Sequence, residues 1–147
     1  MKEHVRQTEL FRWQGVEVKP YKGEGTSFSG ITRQVLFEGG DGLGCELRYF
    51  EVAPGGWSSL ERHRHAHAVM IIRGAARVLV GDRIVEARTH DLVRVPSLTW
   101  HQFRTWGDEP LGFLCMVNCD RDVPEPPNSD ALAALRRDPV IDAFIKA

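Results

Sequence analysis

Three of the six histidines fall within five residues, in Glu61-Arg62-His63-Arg64-His65-Ala66-His67. Imidazole and carboxylate are side chains that hold a divalent transition metal. Positions two apart on an extended chain share a face, so Glu61 and His63 point the same way. His67 returns to them across a short bend. A second arrangement is open: with a different bend, His63 and His65 form the ligand pair and His67 is displaced. Glu61 is open to two roles as well, as a ligand or as a general base beside the ligands.

The elements that must carry these groups are short strands. Pro54-Gly55-Gly56 precedes the cluster, and the apolar run Ala68 to Ile72 follows it and stops at Gly74. From Ile31 onward, β-rich runs alternate with turn residues. The pattern predicts strands at Thr32 to Phe37, Cys45 to Val52, Ser58 to His63, His67 to Ile72, Ala75 to Val80, Ile84 to Ala87, Leu92 to Val95, His101 to Thr105 and Leu111 to Val117. This rhythm, with no helical period between residues 31 and 117, is that of an antiparallel barrel or sandwich. Residues 1–30 read as an N-terminal arm and lead-in, with a short strand at Val16-Glu17-Val18 and an apolar cluster, Leu10 to Trp13, that docks on the body or on a partner subunit. Residues 119–147 read as a Pro-rich linker, Pro124-Glu125-Pro126-Pro127, and a helical end. Asn128-Ser129-Asp130 caps a helix from Ala131 to Arg137, and a second turn after Asp138-Pro139 puts Ile141, Phe144 and Ile145 on one apolar face.

The stretch from Gly55 to Thr105 resembles the two sequence motifs of the cupin family. Gly55, five residues, Glu61-x-His63, three residues, His67, six residues and Gly74 reproduce the spacing of the first motif. Glu61 stands where the family has its first His, and His67 where it has Glu. His90, Pro96, Leu98, His101 and Thr105 occupy the places of the second motif, keeping its proline and histidine and losing both glycines and the Asn. At Leu98, where the family glycine allows a left-handed turn, a different turn type is expected. The resemblance implies an all-β fold: a single cupin barrel (double-stranded β-helix, or jelly roll) over residues 31–118, with an N-terminal arm and short C-terminal helices.

It also implies a metal set of Glu61, His63, His67 and His101. Three imidazoles and one carboxylate suit one divalent ion among Mn, Fe, Co, Ni and Zn. Small cupins usually dimerise, so a homodimer is expected, with Met70, Ile72, Val78 and Val80 as an outer sheet face.

Carrying the two-residue period outward from the ligands gives a pocket. Trp57 and Ser59 fall on the face of Glu61 and His63, Val69 and Ile71 on that of His67, and Phe103 on that of His101, with His65 at the mouth. From the strand Cys45 to Val52, either Leu47 and Tyr49 or Arg48 and Phe50 face inward; Tyr49 would be a candidate acid and Arg48 a carboxylate clamp. Such a pocket takes a small molecule with one chelating, oxygenated end and an apolar remainder. The expected function is metal-dependent chemistry on that substrate, of a dioxygenase or decarboxylase kind. The alternatives are a non-redox isomerase, lyase or hydrolase, a non-catalytic ligand binder, and a metal-free barrel kept for assembly.

Composition bounds the rest. The 147 residues, 42% hydrophobic, suit one domain, and a formal charge of −1 offers no footing for nucleic acid or an anionic membrane. There is no bilayer-length apolar run, and the first residues lack a signal-peptide core. Cys45, Cys115 and Cys119 are odd in number and scattered, so a cytoplasmic setting with reduced thiols is expected. Cys115 reads as a buried, inert thiol with no histidine near it in sequence. Gly39-Gly40-Asp41-Gly42 and Gly23-Glu24-Gly25 are set aside as phosphate loops, because no helix follows either.

Overall fold

A computed structural model describes residues 2–22 and 27–147; the Gly23-Glu24-Gly25 stretch lies outside them. The order is β1 (Gln7–Glu9), β2 (Arg12–Trp13), β3 (Lys19–Pro20), β4 (Ser29–Phe37), β5 (Cys45–Trp57), β6 (His67–Arg73), β7 (Ala75–Val80), β8 (Arg83–Arg88), β9 (Leu92–Val95), β10 (His101–Thr105), β11 (Leu111–Asn118), α1 (Ser129–Leu135) and α2 (Pro139–Phe144). The main sheet runs β8-β7-β10-β5-β11-β6-β9, with β4 added to β5 and β3 to β4. Every pairing is antiparallel.

β5 is the spine, because it pairs with β4, β11 and β10. The expected break at Pro54-Gly55-Gly56 is not one: β5 runs straight through it. Gly55 sits at φ +76°, and a Cβ on Gly56 would lie 2.6 Å from the Ser29 carbonyl oxygen. The two glycines make a bulge, so that Ser29 and Ile31 face Trp57 and Val52, and the strand turns from β11 toward β10. The expected strand Ser58 to His63 is correspondingly absent. That segment keeps only isolated bridges, Glu61 to His101 and Arg62 to Glu125. Val16 to Val18 is also not a strand.

The arm docks on the body as the hairpin β1–β2. Phe11 stacks on Tyr49 at 5.4 Å, Trp13 meets the same ring edge-on, and Arg12 pairs with Glu51 at 2.9 Å. The barrel core comprises, among others, Ile31, Phe50, Val52, Val69, Ile71, Val78, Phe103 and Phe113. Val78 lies inside this core and Val80 packs against it, so of the four residues expected on an outer face these two point inward. α1 is capped by Asn128 and α2 by Asp138. Ile141, Phe144 and Ile145 join Leu60 and Leu79 in a second cluster outside the barrel. Gln102 bonds both ways with the backbone of Lys146, so the C-terminus braces β10 just beyond His101.

Gly74 closes the tight connection from β6 to β7 at φ +64°, and a Cβ there would strike the Pro110 carbonyl oxygen. Gly74→Ala combines left-handed strain with overpacking against backbone. It is expected to destabilise the fold by about 2–4 kcal/mol, seen as a lower midpoint in thermal or urea unfolding; an unchanged midpoint would show that β6 and β7 reseat freely.

Candidate metal centre

His67 begins β6 and His101 begins β10, while His63 lies in the loop that joins β5 to β6. The loop is pinned by three hydrogen bonds. The Leu98 amide donates to the His63 carbonyl at 2.7 Å. The Arg64 and His65 amides donate to the two oxygens of Asp122 at 2.7 and 3.1 Å. Leu98 takes φ +55°, so the expected change of turn type does not occur. The hydrogen bond to His63 holds the left-handed turn, and the Leu98 side chain, 54% exposed, meets no obstruction.

His63, His67 and His101 each bring one ring nitrogen within 4.8 Å of the others. His63 Nδ1 donates to the His65 carbonyl at 2.7 Å and His101 Nδ1 to the Thr99 carbonyl at 2.9 Å, which leaves both Nε2 lone pairs free for a ligand. His67 Nε2 and His63 Nε2 are 2.8 Å apart. Two nitrogens bound at ~2.0–2.1 Å and at right angles around one ion would stand ~2.9 Å apart, so the donors fit a metal. Burial holds all three rings below the usual imidazole pKa, His101 at about 4, with neighbouring imidazoles adding to the effect at His67. They are therefore neutral at physiological pH, the state a metal-binding imidazole requires.

That depression carries a sign. Without metal, the unfolded chain takes up protons below about pH 6.5 that the folded cluster refuses. Stability is therefore complete above that pH and falls as pH drops toward 4. Thermal melts in chelator at pH 7.5, 6 and 5 should show a stepwise loss, and a flat profile would contradict the burial of neutral rings.

Glu61 stands beside the three rings. Its Oε1 lies 4.0 Å from His101 Nε2. Its Oε2 takes hydrogen bonds from Lys22 Nζ and, at 2.9 Å, from Ser59 Oγ. With the Ser59 proton committed to Glu61, the Tyr21 hydroxyl donates to Ser59 Oγ at 3.1 Å. His65 stacks flat on His63, with centroids 3.6 Å apart, and bonds through Nδ1 to Asp122 at 2.8 Å. It braces His63 from behind.

Of the expected pocket residues, Ser59 is joined to Glu61, His65 lines the mouth, and Val69 and Phe103 line the lumen below His67 and His101. Ile71 is fully buried in the barrel core. Two expectations are corrected. Tyr49 faces outward under the arm, and it is Arg48, Phe50 and Val52 that face in. The side chain of Trp57 turns away, its ring under Lys146 and its Nε1 toward Ser27. The chain leaves the strand at Trp57, so the two-residue period cannot be carried across to Glu61.

Cys115 is buried as expected, but it is not remote from histidine. Its Sγ lies 2.8 Å from His67 Nδ1 and 3.5 Å from Arg48 Nη2. β11 pairs Cys115 with Val69 on one side and Arg48 on the other, a cross-strand neighbourhood that sequence spacing does not display. Burial pushes the thiol pKa up, and Arg48 opposes this. Lys22 and Asp122 were missed for the same reason.

A family profile described as "Cupin domain" matches residues 48–117. The chain is 53% identical over 136 residues to the 1-methylthio-D-xylulose 5-phosphate methylsulfurylase of Rhodospirillum rubrum, covering 92% of this chain and 86% of that protein. Among solved structures, a cupin 2 conserved barrel domain protein from Rhodopseudomonas palustris is 50% identical, with a TM-score of 0.91 over 98% of this chain and 99% of that one. A cupin-2 domain protein from Rhodospirillum rubrum is 52% identical, with a TM-score of 0.85 over 92% and 91%.

Proposed function

The chain belongs to the cupin family, and on that footing we propose that it is a metal-dependent transferase that removes the methylthio group from a phosphorylated ketose. The observation that carries this reading is the 53% identity to a methylsulfurylase over nearly the whole chain. The site supports it with a sulfur nucleophile, Cys115, that touches one of the three imidazoles.

A divalent ion held by His63, His67 and His101, with Glu61 as the fourth group, would polarise the ketose carbonyl. The protein supplies the rest. Glu61 Oε1, beside His101 and without a hydrogen bond among the described residues, delivers the proton that the carbon next to the carbonyl takes up when its bond to sulfur breaks, and regains one from the incoming thiol. Val69, Phe103 and Phe113 wall the lumen around Cys115 and suit a methylthio group. A metal held by His67 Nε2 would keep the ring proton on Nδ1, where it is donated to Cys115 Sγ and favours the thiolate. That sulfur bonds to the methylthio sulfur, the carbon–sulfur bond breaks, and its electron pair stays on carbon, which is then protonated. Cys115 is left as a methyl disulfide, and a small external thiol takes the methylthio group and restores it. A reducing cytoplasm supplies such thiols.

Oxygen-dependent cleavage or decarboxylation needs dioxygen or a carboxylate, and group transfer needs neither. The test follows the methylthio signal of 1-methylthio-D-xylulose 5-phosphate by NMR, with the metal-loaded chain and a thiol, in the absence of oxygen. Transfer to the thiol is expected; an unchanged substrate at stoichiometric protein would reject the reading. Self-association belongs to the same proposal. Met70 and Leu92 are paired across β6 and β9, Met116 opposes Ala68, and all three large side chains are exposed, an apolar surface suited to a second copy.

A further inference from the structure

The mouth of the pocket beside the imidazoles is cationic. The mouth cavity, about 290 Å³, is lined by Lys22, Arg33, Arg48 and Arg121 as well as by Glu61 and the histidines. Lys22 is committed to Glu61. Glu46 lies 3.6 Å from Arg48 Nε and 3.5 Å from Arg121 Nη2, and so divides one negative charge between two guanidinium groups. Four cations thus face two carboxylates, and the surplus matches the charge of a phosphate monoester.

The hydrogen bonding leaves the same gap. Among the described residues, Arg33 Nε is buried without a hydrogen-bond partner, and the buried Arg48 Nε has only the 3.6 Å ion pair with Glu46, too long for a hydrogen bond. Buried guanidinium donors left without a hydrogen bond are costly, and a ligand that completes them removes that cost. Arg33 opposes Phe50 and Arg48 opposes Val35 across β4 and β5. The two arginines are therefore diagonal neighbours on the inner face, with Cα atoms roughly 7–8 Å apart, close enough for two planar forks to grip one tetrahedral anion.

We propose that Arg33, Arg48 and Arg121 form a phosphate-monoester subsite that anchors the far end of the substrate while the imidazole cluster takes its oxygenated end. Arg48 also reaches Cys115, so it ties the anchored end to the sulfur. The subsite deepens the transferase reading and rests on it for the sugar, but the anion chemistry is independent of the reaction.

The test is calorimetric titration of the metal-loaded chain with D-xylulose 5-phosphate and with D-xylulose. The phosphate ester should bind roughly tenfold to a hundredfold more tightly. Arg33→Met should remove most of that advantage and leave D-xylulose binding unchanged, with Arg33→Lys intermediate. Arg121→Met, at the partly exposed rim, should weaken the phosphate ester in a variant whose melting midpoint is unaltered. Inorganic phosphate should compete with the ester and not with D-xylulose. Equal loss of both sugars in Arg33→Met, or no preference for the phosphate ester in the wild type, would overturn the subsite. Full transfer activity with an unchanged KM in Arg33→Met would sink the subsite and leave the transferase standing. Arginine-dependent phosphate binding without transfer would do the reverse.

Discussion

His67→Ala is expected to lose its divalent metal, with affinity falling by more than about a hundredfold, beyond the ten- to hundredfold that removing a supporting group costs. The ring is one of the three that converge. Its Nε2 lies 2.8 Å from that of His63, and its ring centroid is 5.3 Å from that of His101. No neighbour can replace it, because His65 is turned to Asp122 and Cys115 lies on the far side of the ring. His65→Ala is the matched control. It strips the stacking and the Asp122 tether from His63 without touching a ligand atom, so it should weaken metal binding within the tenfold-to-hundredfold range. Glu61→Gln decides the fourth position. A ligand role predicts a loss approaching that of His67→Ala, and a proton-transfer role predicts retained metal with lost turnover. Elemental analysis of untagged protein after dialysis against a graded chelator reads all three variants. Stoichiometric metal in His67→Ala would remove the cluster as the site.

The parts of this centre that the sequence makes legible are those carried by the cupin resemblance, whose first-motif spacing from Gly55 to Gly74 implies Glu61, His63 and His67. His63, His67 and His101 do lie together, although the strand expected to carry Glu61 and His63 is absent. The antiparallel barrel, the docked arm and the two capped C-terminal helices are legible because turn residues and apolar alternation act over a few residues. Errors begin where local rules hand over to packing. Gly55 and Gly56 look like a turn, yet they make a bulge, because Ser29, far earlier in the chain, comes to pair with Trp57. Period alone could not choose between Tyr49 and Arg48. The choice is made by the arm, which offers Phe11 and Trp13 to Tyr49. Val78 points inward because Val78 and Phe103 are partners across β7 and β10, a pairing invisible in the order of residues.

Cys115 illustrates the limit best and carries the second large prediction. As a sequence feature it is one sulfur in an apolar run, indistinguishable from an inert core thiol. Three strands give it chemistry: β11 bears it, β6 brings His67 and β5 brings Arg48. Cys115→Ser keeps a hydroxyl within reach of His67 Nδ1 and fills nearly the same volume, so the fold and the metal should persist. Only the sulfur nucleophile is removed. Methylthio transfer should fall by ~10³-fold or more in kcat, with KM for the phosphorylated substrate little changed. A second readout separates nucleophile from scaffold. Without an external thiol, wild-type protein should acquire one methylthio group per chain by intact mass, and Cys115→Ser none. The exposed Cys119 and half-buried Cys45 provide internal controls, because Cys45→Ser and Cys119→Ser should still take up the label. A Cys115→Ser variant retaining more than about a tenth of wild-type kcat would mean that the methylthio group passes directly from the ketose to the external thiol. The imidazole cluster and Glu61 would then carry the whole reaction, and Cys115 would serve only to fix the His67 tautomer.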